Sequence, residues 1–238
     1  MTELFVSDLH LDAQSGAANE RFLAFLAHEA LQARVLYILG DLFEAWLGDD
    51  DPDPVKGHIC EGLRRLTDRD VACFVLHGNR DFLLGEQFAA RTGCRLLPDP
   101  VMATFDTETV LLTHGDALCV DDHPYQELRT TVRTPSWQQR FLRLPLATRG
   151  LLAQQARRGS QAHTSRTIPD VMDVNEAAVS AVWRTGISRI IHGHTHRPGI
   201  HAATFDGRSV QRIVLGAWYE QGSYLLRDNG RYELRQLS

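Results

Sequence analysis

The sequence predicts an α/β fold of the α+β type in a single domain, and three observations carry that reading. Short apolar runs recur along the chain, each ending in a glycine-containing turn that bears Asp, Asn or His. Segments of helical periodicity lie between the early runs, as in sheets whose strands are joined by crossing helices. Roughly the last forty residues instead alternate apolar and polar side chains with glycine breaks, the pattern of antiparallel strands.

In chain order, Leu4-Phe5-Val6 reads as a buried strand that stops at Ser7-Asp8-Leu9-His10. A helix follows, with Phe22, Leu23, Leu26 and Ala30 on one face. Val35–Leu39 is the second strand and ends in Gly40-Asp41; residues 54–66 form a helix with Pro54 in its first turn. A third strand, Val71–Leu76, ends in His77-Gly78-Asn79-Arg80-Asp81. A fourth, Val110–Leu112, ends in Thr113-His114-Gly115-Asp116. A helix around 173–184 leads to the strand Arg189–Ile191 and then to His192-Gly193-His194-Thr195-His196-Arg197-Pro198. In α/β sheets ligands bind beyond the carboxyl ends of strands, so these turns should converge on one edge.

Residues 120–169 differ from the rest. Eight arginines against three acidic residues are interleaved there with Tyr125, Leu128, Val132, Trp137, Phe141, Leu144, Leu146, Leu151 and Leu152. Pro135 and Pro145 split the stretch into short helices, with Tyr125, Leu128 and Val132 on one face and Trp137, Phe141 and Leu144 on another. It is expected to be a helical insertion over the strand ends within one domain spanning 1–238.

Composition narrows the function classes. Of 238 residues, 43% are hydrophobic and 23% charged, which excludes a disordered, collagenous or coiled-coil chain. A chain of this length buries roughly 70–75% of its unfolded surface and needs no disulfide or metal to hold its core. The net charge of −5 argues against a general nucleic-acid binder. Cys60, Cys73, Cys94 and Cys119 form no paired motif and read as reduced thiols. No apolar run approaches the ~18 residues of a membrane span, and the chain enters a strand without a basic leader, so no signal peptide is expected. Lys56 is the only lysine; arginine forks suit phosphate, but a GC-rich genome is the favoured explanation of the bias.

The turns carry the chemistry. Asp8-x-His10, Gly40-Asp41, Gly78-Asn79-Arg80-Asp81, His114-Gly115-Asp116 and Gly193-His194-Thr195-His196 occur in that order. Any one is commonplace; all five, each after a strand, resemble the calcineurin-like metallophosphoesterases over the whole chain. The resemblance implies an αββα sandwich of two β-sheets flanked by helices, with about 120–169 as a helical lid. It also implies two divalent cations ~3.5–4 Å apart that clamp the oxygens of a phosphoryl displacement and activate a water. By the family pattern Asp8, His10, Asp41 and His196 hold one ion, and Asp41, Asn79, His114 and His194 the other. Cations so close repel, and the shared Asp41 carboxylate offsets this. Carboxylate, amide oxygen and imidazole without thiolate suit Mn²⁺ or Fe²⁺, and Mn²⁺ is the expected ion. His77, His192 and His201 read as supporting or surface histidines, and Asp81 and Asp116 as orienting the ligand turns. His28, His58 and His123 carry no motif.

Within the superfamily, Ser7 to Leu11, Gly40 to Trp46, Gly78 to Phe82, Met172 to Asn175, His192 to Pro198 and Leu215 to Trp218 look like the UDP-2,3-diacylglucosamine hydrolase family. That resemblance implies cleavage of UDP-2,3-diacylglucosamine to UMP and 2,3-diacylglucosamine 1-phosphate by water attacking the α-phosphorus, in Gram-negative lipid A biosynthesis. Many relatives carry His where Arg80 stands, and that His protonates an alkoxide leaving group. Arg cannot act as an acid at neutral pH. Arg80 therefore favours a leaving group that departs without a proton, such as a phosphate monoester with its second pKa near 6. Its fork would neutralise the diphosphate.

Asn79, Arg80 and His114 are the expected catalytic residues. Asn79, Arg80, Asp122, Ser160, Thr164, Arg166 and His194 are the expected substrate contacts. Arg166 stands in for a lysine of the family, and His163 or Thr164 for an Asn-like position. The insertion would house two acyl chains, with its arginines on the lipid phosphate or on an anionic leaflet; a plain amphipathic cap is the alternative. The expected location is cytoplasmic, peripheral on the inner membrane, with no nucleic acid and no protein partner. A hydrolase of another nucleotide diphosphate and a metal-free scaffold are the competing readings.

Overall fold

The computed structural model describes residues 2–164, 173–219 and 221–237, with the backbone alone described for 161–164. Strands β1 (Thr2–Val6), β2 (Val35–Leu39), β3 (Ala72–Leu76) and β4 (Arg95–Leu97) run parallel in one sheet. Strands β10 (Ser223–Asp228) and β11 (Arg231–Gln236) complete it, β10 lying antiparallel to β1, in the order β11-β10-β1-β2-β3-β4. The second sheet has the order β5-β6-β7-β9-β8, built from Val101–Phe105, Glu108–Leu112, Arg189–His192, Arg208–Val214 and Gly199–Phe205 respectively.

Alternation along each strand sorts side chains into layers. Phe5, Leu39 and Leu76 point from the first sheet toward Val110, Leu112, Ile191 and Ile213 of the second, forming the core between the sheets. Leu4, Val6, Leu36 and Ile38 point the other way, onto α1 (Gly16–Ala27), α2 (Pro54–Thr67) and α3 (Glu86–Thr92) through Phe22, Phe25, Ile59, Leu63 and Phe88. On the outside of the second sheet, Leu111, Ile190 and Val210 meet Val179 and Trp183 of α7 (Glu176–Arg184). The result is the four-layer αββα sandwich. Strands apolar on both faces read as unbroken runs because both sides are covered.

The insertion comprises α4 (His123–Val132), α5 (Pro135–Leu142) and α6 (Leu146–Thr164). Pro135 opens α5 and Pro145 precedes α6, so the two prolines divide it as expected. Some sequence expectations change. Helix α1 ends at Ala27, and the buried Ala30 belongs to a separate 3₁₀ turn. The helix expected from about 173 starts at Glu176, because the Asn175 side chain caps it by accepting from the Ala177 and Ala178 amides. The C-terminal strands form two hairpins that join different sheets, and β9 lies parallel to β7.

Candidate metal centre

The turns after β1, β2, β3, β6 and β7 meet at one edge of the sandwich, and their backbones are unusual. Asp8, His10, Asp41, His194 and His196 all have positive φ, between 51° and 69°. This left-handed region costs a non-glycine residue about 1–3 kcal/mol, so the surroundings must impose it. Hydrogen bonds between turns do so. The Leu9 and His10 amides donate to the Asp41 carbonyl at 2.9 and 3.0 Å, and the Gly193 amide to the His114 carbonyl at 2.9 Å. The Asp8 carboxylate accepts from the His194 amide at 2.9 Å, and Asp41 Oδ1 accepts from the Arg80 amide at 2.8 Å. Asp81 is buried beneath them, accepting from the Gly78 and Leu42 amides at 2.8 Å. The glycines permit this approach: a Cβ on Gly78 would stand 2.1 Å from Asp41 Oδ1, and one on Gly193 would stand 2.2 Å from Asp8 Oδ2.

Two knots of donor atoms result. In one, His10 Nε2 lies 3.3 Å from His196 Nε2 and 3.8 Å from Asp41 Oδ2, and His196 Nε2 lies 3.3 Å from Asp8 Oδ1. In the other, Asn79 Oδ1 lies 2.9 Å from His114 Nε2 and 3.0 Å from His194 Nδ1. Asp41 Oδ2 lies 3.8 Å from His114 Nε2 as well, which puts one carboxylate oxygen equally far from an imidazole of each knot. Asp8 also comes within reach of both groups. His114 Nδ1 donates to the Leu39 carbonyl at 2.9 Å, which leaves the Nε2 lone pair facing the donors. Imidazole nitrogens facing each other and carboxylates, with no thiolate, fit hard to borderline divalent cations.

Electrostatics show the same demand for positive charge. Burial works against the Asp8 carboxylate, yet His196, His114 and His10 hold its pKa far below the usual range. Burial alone would keep His114 neutral, but the carboxylates of Asp41, Asp8, Asp116 and Asp99 lift its pKa to about 9. Burial and the neighbouring His114 charge press His194 down to about 3. Asp41, enclosed by protein, is raised by burial despite His114 and His10. Carboxylates packed this closely need cations, whether protons or metal.

The remaining expected residues fall in different places. Arg80 lines the site; its Nε is buried with no hydrogen-bond partner among the described residues. Asp122 caps α4, accepting from the Tyr125 amide at 3.2 Å. Ser160 is exposed on α6, one turn beyond Arg157. The Thr164 side chain and Arg166 lie outside the described residues. Among the other histidines, His77 bonds the Leu84 carbonyl at 2.8 Å. His192 is buried, its Nδ1 donating to the Gly193 carbonyl at 2.8 Å, and burial presses its pKa down to about 4. His201 is exposed on β8.

Sequence reasoning gave no role to several residues that touch this machinery. Glu44 Oε2 lies 2.8 Å from His10 Nδ1. The Tyr219 ring stacks on His10 at 5.1 Å, and the Tyr125 ring on His194 at 6.0 Å. The Tyr125 hydroxyl also donates to Asp116, which takes a further bond from Arg129 Nε at 2.8 Å. A polar residue three after Asp41, within a stretch quoted for its resemblance, was the one signal for Glu44; the tyrosines had none.

A profile of the calcineurin-like phosphoesterases matches residues 1–198. A UDP-2,3-diacylglucosamine hydrolase of Stenotrophomonas maltophilia is 50% identical, the match covering 100% of this chain and 99% of that protein. One of Xanthomonas oryzae pv. oryzae is 47% identical, with 100% of both covered. Among solved structures, an archaeal phosphodiesterase aligns over 100% of both chains with a TM-score of 0.50 at 14% identity, a likeness of fold alone.

Proposed function

The chain belongs to the calcineurin-like phosphoesterase family, and from that premise we propose that it hydrolyses UDP-2,3-diacylglucosamine to UMP and 2,3-diacylglucosamine 1-phosphate. The substrate is the one named for relatives 47–50% identical over their full length. Arg80 is the observation that carries the step from phosphoester to diphosphate. It stands beside the donor atoms, where its guanidinium cannot act as an acid toward an alkoxide, and its buried Nε, without a hydrogen-bond partner among the described residues, suits an anion.

In this reading Asp8, His10, Asp41 and His196 hold one divalent ion, and Asp41, Asn79, His114 and His194 the other, with Mn²⁺ as the ion. When bound, the pair lowers the pKa of a water and offsets charge on the phosphoryl oxygens. The protein's own part is positional. The Leu39 carbonyl fixes which nitrogen of His114 faces the site. Arg80 neutralises the diphosphate. Water adds to the α-phosphorus, the bond from that phosphorus to the bridging oxygen breaks, and the bridging oxygen leaves on the lipid phosphate without needing a proton.

The insertion is the lid over this reaction. Leu128, Leu142, Leu151 and Leu152 remain exposed on it, offering apolar surface for acyl chains, and of the expected head-group contacts Asp122 caps α4 and Ser160 is exposed on α6. No helix among the described residues is long and apolar enough to cross a membrane. A lipid substrate, as named for the relatives, supports a location on the cytoplasmic face of the inner membrane by peripheral contact with anionic lipid.

A phosphorus NMR time course with UDP-2,3-diacylglucosamine tests the reading. The expected outcome is Mn²⁺-dependent appearance of UMP and a lipid 1-phosphate without inorganic phosphate, abolished by EDTA. The Arg80→Ala variant should lose about 10²–10³-fold in turnover with unchanged metal content. Cleavage of water-soluble nucleotide diphosphates but not of the lipid substrate would overturn the lipid assignment.

A further inference from the structure

Glu44 stands between the donor atoms and the insertion. Its carboxylate reaches both ways: Oε2 lies 2.8 Å from His10 Nδ1, and Oε1 lies 3.2 Å from Arg157 Nη2 of α6. The same Arg157 nitrogen donates to the Glu44 carbonyl at 3.3 Å, so α6 holds both the main chain and the side chain of this residue. His10 is buried, and its other nitrogen, Nε2, faces His196 and Asp41.

A neutral imidazole carries one lone pair, and the partner of the protonated nitrogen decides where that lone pair points. Glu44 Oε2 stands against His10 Nδ1 as a close ion-pair contact, which leaves Nε2 as the nitrogen turned toward the donor group. The Tyr219 ring, stacked within 9° of parallel, limits the tilt of the imidazole, and Glu44 limits its rotation within that plane.

We infer that Glu44 is a positioning residue that fixes His10 as a metal donor, and that Arg157 couples this to the docking of α6. The inference rests on the dimetal reading above. It makes the insertion part of the metal centre: when α6 leaves, Glu44 loses its second partner and His10 its fixed orientation. By linkage, an ion bound at His10 must in turn hold α6 more tightly.

The experiment titrates metal-free protein with Mn²⁺ by equilibrium dialysis, and with Co²⁺ by visible absorption, for the wild type, Glu44→Gln and Arg157→Gln. The wild type is expected to take two ions per chain. Glu44→Gln should weaken one ion about ten- to a hundredfold and shift its Co²⁺ band, leaving the other ion within about twofold. Arg157→Gln should weaken the same ion by a smaller factor, with an unchanged thermal midpoint. Wild-type affinity and Co²⁺ spectrum in Glu44→Gln would overturn the inference, as would equal weakening of both ions. A wild type that binds no ion would instead remove the dimetal reading, and this inference with it.

Discussion

A buried carboxylate held at positive φ is an arrangement a chain adopts only where neighbouring turns enforce it. Asp41 shows how little room that leaves. Gly78 packs so closely that an added methyl would stand 2.1 Å from Asp41 Oδ1 and 2.2 Å from its amide nitrogen. The backbone cannot yield without releasing the Gly78 amide from Asp81 and the Arg80 amide from Asp41. Gly78→Ala should therefore displace Asp41, lowering stability by about 1–3 kcal/mol through overpacking and abolishing stoichiometric metal binding. Gly16→Ala is the control: it lies in the first turn of α1 with nothing within 4 Å of the added methyl, and should leave metal content unchanged and stability no lower than wild type. Elemental analysis and a thermal melt of both variants decide it. A Gly78→Ala protein with full metal content would show that the turns have slack which the contacts deny.

At the scale of elements, the ligand turns were legible in the sequence and the attachment of the insertion was not. Each ligand sits at a strand end, where an apolar run, a glycine and an Asp, Asn or His fall within a few residues, so the signal is local. The arginines of 120–169 read as candidates for phosphate or lipid, but their partners lie far away along the chain. Arg129 meets Asp99 and Asp116, Arg133 donates to the Gly78 carbonyl at 2.9 Å, and Arg157 meets Glu44. Arg149, only 2% exposed, donates to the Leu47 carbonyl at 2.6 Å and to both oxygens of Asp50. Gly48, at φ 137°, leaves room for that guanidinium. Likewise α3, β4 and β5 are too short or too irregular in pattern to stand out.

The Arg149–Asp50 pair gives the docking of α6 a pH dependence. The hydrogen bond and charge of Arg149 hold the Asp50 carboxyl below its usual range. Its contribution is thus complete above the unfolded value near 3.9 and is lost as pH falls through the depressed folded value. Brief proteolysis by pepsin should cut within 146–160 before the sandwich once pH falls below the usual carboxylate range. By trypsin at neutral pH, Asp50→Asn should be cut there faster than wild type. Equal rates for the two proteins at neutral pH would mean that the Leu47 carbonyl alone anchors Arg149.

For the whole molecule, the sheets must hold a fixed spacing if turns from both are to present one set of donors. Asp8, Asp41 and Asn79 follow strands of the first sheet, and His114, His194 and His196 follow strands of the second. The sequence pattern gave two sheets only through resemblance, because nothing local tells the β8–β9 hairpin from the β10–β11 hairpin. Pairing across the chain decides that, and a buried cation marks the join. At the opposite end of the sandwich from the ligand turns, Arg227 of β10 donates to Glu3 of β1 at 2.9 Å. It also donates to Asp106, in the β5–β6 turn of the other sheet, at 2.6 Å. Its guanidinium lies 5.0 Å from the Phe105 ring centroid and 5.7 Å from that of Tyr232. Arg227→Met should cost about 3 kcal/mol in urea unfolding, because Glu3 is left buried without its cation. Adding Glu3→Gln should recover part of that loss, which a simple packing defect would not allow. Turnover per folded molecule should stay at the wild-type level, since the clamp touches none of the donor turns. A drop in turnover at full folding would mean that sheet spacing, set here, is transmitted along the strands to the metal centre.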